Sequence, residues 1–171
     1  MGLIAFIKNA GEKLFGHKEV EQAQTQVVAK PDDSDAQARV EELNAKAGSA
    51  ILAYIQTQNL GADDLAVAFD GATGAVTVSG TAPDQATREK IVLCCGNVQG
   101  VESVNDDLAV AEAADEAEYY TVVSGDTLSK ISRDSYGDAN KYMAIFEANK
   151  PMLSHPDKIY PGQVLRIPPQ A

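Results

Sequence analysis

The feature that most constrains this chain is the segment from Tyr120 to Pro168. In order it holds Tyr120-Thr121-Val122, then Gly125-Asp126-Thr127-Leu128, and finally Tyr160-Pro161-Gly162-Gln163-Val164-Leu165-Arg166-Ile167-Pro168. The two β-prone ends enclose two short helical patterns. Asp126 or Thr127 can cap a helix that buries Leu128 and Ile131, and Tyr142, Ile145 and Phe146 form the apolar face of a second. The segment is therefore expected to close as its own small unit, leaving residues before it to build a separate core.

Those earlier residues carry a different pattern. Ser34 and Gln37 have capping-box spacing, and Val40, Leu43, Ala47, Ile51, Tyr54 and Ile55 supply a helical stripe, so a long helix bent near Gly48 is expected up to Gly61. Leu65–Phe69 and Ala75–Ser79 alternate as strands around the turn Asp70-Gly71-Ala72-Thr73-Gly74 and predict a hairpin. Thr81-Ala82-Pro83-Asp84 reads as a second helix start, continuing through Ala86, Ile91, Val92 and Leu93 to a stop at Gly96-Asn97. Val101–Val110 completes an α-β-β-α-β unit, and Ala111–Glu118 is an acidic tether. At the N-terminus Leu3, Ile4, Ile7, Ala10 and Leu14 recur at helical spacing, which predicts an amphipathic helix over residues 1–16 packing on the next domain. Attachment to a membrane surface is the alternative role for that helix, but Lys8 and Lys13 are few cations for it. Residues 17–35, polar and aperiodic, read as a loop or linker.

Charge and cysteine usage narrow the function. With 14 basic and 25 acidic residues the net charge is -11, which disfavours nucleic acid and anionic lipid as partners. Nothing near Met1 has the form of a secretory signal or of the ~20 apolar residues needed for a membrane span, so the mature chain is expected to start at Met1 or Gly2. Cys94 and Cys95 are adjacent, a spacing unsuited to a disulfide between facing segments, and read as reduced buried thiols of a cytoplasmic protein. His17 and His155 stand apart from any second ligand, and no nucleophile elbow, zinc-protease motif or phosphate loop is present, so an enzyme is not expected. Asp33, Asp35 and Glu41 suggest calcium, but an EF-hand from Asp33 would place Ala38 at its glycine and Asn44 at its final glutamate, leaving a solvated helix cap. The pairs Asp63-Asp64 and Asp106-Asp107 diverge on strands or serve turns.

The motifs of residues 119–169 resemble a LysM domain, whose two strands pair antiparallel with both helices on one side. The order over residues 36–110, with Val76-Thr77-Val78-Ser79-Gly80 before its second helix and Gly96-Asn97-Val98-Gln99-Gly100-Val101 after it, looks like a BON domain. The fold class expected is thus α+β, an N-terminal helix plus BON domain followed by LysM. A LysM module usually binds peptidoglycan or chitin. Its sugar groove here would lie between Gly125, Asp126, Thr127 and Leu128 and the loop from Pro151 to Ile159, although capping and turn geometry account for Gly125 and Asp126 without a ligand.

Taken whole, from Met1-Gly2-Leu3 and Phe6-Ile7-Lys8 through Ala10-Gly11-Glu12-Lys13-Leu14 to the C-terminal Pro161-Gly162-Gln163, the chain is similar to the bacterial cytoplasmic BON–LysM potassium-binding protein family. The resemblance implies a monomeric K⁺ sensor or buffer whose domains draw together on binding. It places the ligands on main-chain carbonyls of Ile7, Ala10, Gly96, Val98 and Val101. Neutral carbonyls suit a large monovalent cation, whereas Ca²⁺ and Mg²⁺ recruit carboxylates. Helices ending near Ala10-Gly11 and Cys95-Gly96 would both present unpaired carbonyls to one ion, with the side chains as a dry wall. Gly96-Asn97 as an ordinary helix stop is the alternative. The chain departs from the family in a longer Asp-rich segment at 17–35, expected to loop out, and in Cys94-Cys95, whose modification could spoil a site at Gly96. A peptidoglycan-binding envelope adaptor, with BON against membrane or partner proteins, is the main rival, and a protein-docking scaffold a third reading.

Overall fold

The computed structural model describes residues 2–170. Strand β1 (Gly2–Ala5) opens the chain, followed by helices α1 (His17–Ala29) and α2 (Ser34–Thr57). Strands β2 (Asp63–Asp70) and β3 (Ala75–Asp84), helix α3 (Gln85–Gly96) and strand β4 (Ser103–Glu112) complete the first unit. The second unit comprises β5 (Glu118–Thr121), α4 (Leu128–Tyr136), α5 (Tyr142–Ala148) and β6 (Val164–Ile167), with a 3₁₀ turn at Ala139–Lys141. The sheets are ordered β1-β4-β3-β2 and β5-β6.

The hairpin forms as its turn chemistry demands: Phe69 pairs with Val76, and Asp70 Oδ1 accepts from the Ala72 N–H. β3 and β4 then run parallel with α3 as their crossover, Val76 opposite Val104 and Gly80 opposite Leu108. Even-numbered residues of both strands point inward, so Val76, Val78 and Val104 are fully buried with Ile51, Ile55, Ile91 and Val92. Asp106 shares that inward face. It is buried because Arg88 Nε donates to it at 2.9 Å, while Asp107 faces outward.

Three expectations fail here. Residues 2–16 are not a helix: β1 pairs antiparallel with β4, Ile4 opposite Val104, and a non-helical loop follows. Met1 lies outside the described residues. The apolar run reads equally as period two, and that reading wins because Phe6 drops into the core beside Ile4 while Leu3 and Ile7 stay exposed. Residues 17–29 are not a linker but helix α1, which buries Val20 and Ala23 against α2 and the β2–β3 turn. Its stripe is only two residues wide, too sparse to register as a period, yet Glu, Gln, Ala and Lys are good helix formers. Finally, β3 runs on through Thr81-Ala82-Pro83 to Asp84, whose pairing with Glu112 continues the ladder; Asp84 rather than Thr81 caps α3, accepting from Thr87 N–H at 2.7 Å.

α2 begins at Asp33, whose carboxylate accepts from the N–H groups of Asp35 and Ala36 at 3.1 Å, and continues through Gly48. A methyl group at Gly48 would sit 3.0 Å from the Val67 carbonyl, so the glycine permits close approach of β2.

α3 is buried on nearly every side because the second unit covers what the first leaves open. β6 is buried at all four positions. Leu165 and Ile167 join Leu128, Ile131, Ile145 and Phe146 in one core, while Val164 joins the core of the first unit. Arg166 reaches Glu89 of α3 in a buried ion pair. Cys94 and Cys95, on the same helix, are free and buried; burial pushes the Cys94 thiol up to about 12 and Cys95 well above its usual value. At pH 8 the native thiols should react with iodoacetamide about a thousandfold or more slowly than in urea-unfolded chain. Rapid native alkylation would show that this part of α3 opens readily.

Candidate functional site

Two loops converge at the C-terminal end of α3. The helix stops at Gly96, with Asn97 N–H bonded to the Leu93 carbonyl, and the chain turns toward β4 through Val98-Gln99-Gly100-Val101. The post-β1 loop lies alongside: Glu12 N–H donates to Asn97 O at 2.8 Å, Gln99 N–H to Glu12 O at 2.9 Å, and Gly100 N–H to Lys8 O at 2.7 Å. Glu12 and Val98 form a parallel bridge. Lys8 holds the loop from outside by ion pairs to Glu21 at 2.8 Å and Glu102 at 3.0 Å, which raise its pKa.

Two glycines make the approach sterically feasible. A methyl at Gly96 would fall 2.0 Å from the Phe6 ring, and one at Gly11 would fall 2.2 Å from the Asn97 carbonyl oxygen, with Gly11 also at φ +104°. The second unit supplies a third wall, since Gly162 faces the Ala10 and Ile7 side chains. A surface groove between Ala10, Gly11, Gln99, Tyr160 and Pro161 marks the seam. Burial pushes the Tyr160 phenol up to about 12, with the Glu12 charge adding to the effect.

All five proposed ligand residues therefore belong to segments of this junction. Gly96, Val98 and Val101 are buried on the α3–β4 turn, and Ile7 and Ala10 sit on the facing loop. The Ile7 carbonyl accepts from Ala10 N–H at 3.0 Å and the Val98 carbonyl from Val101 N–H at 3.1 Å, one bond each for an oxygen with two lone pairs. Those of Ala10, Gly96 and Val101 accept no hydrogen bond from the described residues. The donor set fits a cation held by neutral oxygens. The expectation of two helix ends at one ion does not hold: only α3 ends here, and the other segment is a loop. The dry wall is also one-sided, because Val98 and Val101 are buried while Ile7 is 50% exposed.

The candidate sugar residues lie elsewhere and are occupied with holding the second unit. Asp126 accepts from Tyr120 Oη at 2.7 Å, Val123 N–H at 3.0 Å and Lys130 Nζ at 2.8 Å, and these partners lower its pKa to about 2, the lysine most. Thr127 Oγ1 caps α4 by accepting from Lys130 N–H, Leu128 is core, Gly125 turns at φ +89°, and Ile159 packs on that core. Across the groove, Met152 packs on the core of the first unit, while Pro151, Ser154, His155, Asp157 and Lys158 of the same loop are exposed. Because the folded pKa of Asp126 lies below the unfolded value of about 3.9, its stabilisation is complete above that value and is lost as pH falls through about 2. Acid unfolding of the second unit between about pH 4 and 2 should flatten in D126N; an unchanged slope would assign it to other carboxylates.

The sequence reading passed over the residues that join the units. Asn97 Nδ2 donates to Val164 O and Asn97 Oδ1 accepts from Val164 N–H, both at 2.8 Å. Glu89 accepts from Gln85 Nε2 at 2.8 Å and Ala117 N–H at 2.9 Å beside its pairing with Arg166. Their sequence signals were weak: Glu89 is the middle of three consecutive charges, Arg88-Glu89-Lys90, Asn97 follows the helix-stop glycine, and Arg166 is the charge inside the apolar strand β6.

Among the described residues, no helix is long and apolar enough to cross a membrane, and no group of three or more His, Cys, Asp or Glu is placed to hold a metal ion. The BON domain family matches residues 32–112 and the LysM domain family residues 120–168. Potassium binding protein Kbp of Escherichia coli O6:H1 is 44% identical over 168 residues, covering 98% of this chain and 99% of that protein. An uncharacterized protein of Deinococcus radiodurans is 44% identical over an 82-residue alignment that covers 42% of this chain and 32% of the relative. With an α+β fold of BON then LysM, and likeness along nearly its whole length, the chain belongs to the family of the potassium binding protein Kbp.

Proposed function

We propose that this chain is a cytoplasmic K⁺-binding protein, a sensor or buffer of the ion, and that main-chain carbonyls of Ile7, Ala10, Gly96, Val98 and Val101 hold it. The observation that carries this reading is the convergence of the post-β1 loop on the α3 terminus with the Ala10, Gly96 and Val101 carbonyls left without hydrogen-bond donors. The relative's name points to the same ion. The negative end of the α3 dipole adds a favourable field at Gly96. Neutral oxygens on two packed segments favour a weakly hydrated monovalent ion over one that must be compensated by carboxylates. Binding is further proposed to tighten the BON domain against LysM across the short tether.

Calorimetric titration with KCl against NaCl at fixed ionic strength tests the reading, since ionic strength sets the screening of the -11 charge. Saturable heat with K⁺ and none with Na⁺ is expected. Equal, featureless heats would overturn it and turn attention to peptidoglycan, for which purified sacculi are the probe.

A further inference from the structure

The ion proposed above would touch only the first domain, so something must tell the second domain that it has arrived. Asn97 is placed to do so. The Gly96 carbonyl and the Asn97 N–H belong to one planar peptide unit, so an ion that fixes the carbonyl also fixes the position from which the Asn97 side chain departs. That side chain closes a two-bond ring with the backbone of Val164, 2.8 Å in each direction, in the manner of a neighbouring strand. The Asn97 carbonyl meanwhile accepts from Glu12 N–H, which anchors the loop carrying Ile7 and Ala10. One residue therefore joins the helix end, the ligand loop and β6.

The LysM side answers with a second contact on the same loop. Gly162 turns at φ +88°, and a methyl there would lie 2.7 Å from the Ala10 Cβ and 3.4 Å from the Ile7 Cβ. The loop bearing two of the proposed ligands is thus held between Asn97 on one side and the Tyr160–Gly162 turn on the other.

We infer that Asn97 is the positioning residue that couples cation occupancy at the α3 terminus to docking of the LysM domain, acting through its amide pair with Val164. The inference rests on the K⁺ reading and deepens it. Because coupling is reciprocal, whatever LysM docking gains from the ion, the ion gains from docking. Loss of the amide should therefore weaken K⁺ binding although no ligand atom has been removed.

The test uses full-length wild type, N97A, and N97D, whose carboxylate keeps the acceptor for Val164 N–H but loses the donor to the Val164 carbonyl. Each is titrated with KCl by calorimetry and followed by small-angle scattering with and without K⁺, its ion-free melting temperature being measured alongside. Wild type that binds no K⁺ would refute the K⁺ reading itself. Given wild-type binding, the expected result is that both variants bind roughly fivefold or more weakly and contract less on K⁺ addition. Wild-type affinity and contraction in N97A would overturn the inference. If N97A does not fold, N97D decides alone: weakened affinity with reduced contraction at an unchanged ion-free melting temperature supports the coupling, and unchanged values overturn it.

Discussion

Replacing Glu89 by alanine should lower the unfolding free energy by about 3–5 kcal/mol, the cost of leaving a buried charge without its partner. Glu89 is 3% exposed and Arg166 8%, so water cannot take over the lost role. The carboxylate also accepts from Gln85 and from the Ala117 main chain, which adds two stranded donors to the stranded guanidinium. R166A should cost a similar amount from the opposite domain, and the double variant less than the sum, because each single change leaves the other charge unpaired. Since Ala117 lies in the connection and Arg166 in β6, the damage should appear as loss of interdomain docking before loss of either core. Urea titration of the three variants checks this. A cost below about 1 kcal/mol for E89A would mean that the pair is solvated in the native ensemble.

G96A should expel the N-terminal segment and with it K⁺ binding. The added methyl meets three Phe6 ring atoms at 2.0 to 2.3 Å, and an aromatic ring that is itself 8% exposed has little room to move. Overpacking of this kind costs about 1–3 kcal/mol, and full ejection of Phe6 about 3–5 kcal/mol. With the post-β1 loop lifted, Ile7 and Ala10 leave the junction, and K⁺ affinity should fall about tenfold or more, equivalent to at least about 1.4 kcal/mol. F6A in the same background restores the space, so the double variant should be more stable than the two single effects added. Full K⁺ affinity in G96A would place the ion elsewhere.

These two positions also divide what the residues reveal by themselves from what they do not. Gly96 was legible as a helix stop, because glycine after an apolar run is a local signal. That it faces an aromatic ring from the residue just after β1 was not, because Phe6 and Gly96 lie far apart in sequence and nothing local links them. The N-terminal segment was misassigned for a related reason. Its residues fit a helix and a strand about equally, and the free strand edge of β4 decided between them. α1 was missed because two buried residues make a helix worthwhile only when α2 and the β2–β3 turn are there to cover them. Within the candidate site, all five proposed ligand positions came from family likeness. Backbone oxygens leave almost no mark on residue identity.

By itself the sequence determined the order of units, the hairpin of the first with the helix and strand that follow it, and the capped first helix and closing strand of the second, all written in spacing, turn residues and caps. Only the tertiary structure decided which face of β6 meets α3, that Asn97 and Glu89 join the domains, and that a loop rather than a helix end meets the α3 terminus. The physical reason is range: periodicity and capping act within a few residues, whereas a buried ion pair, an amide clamp and a glycine contact exist only once distant segments have met.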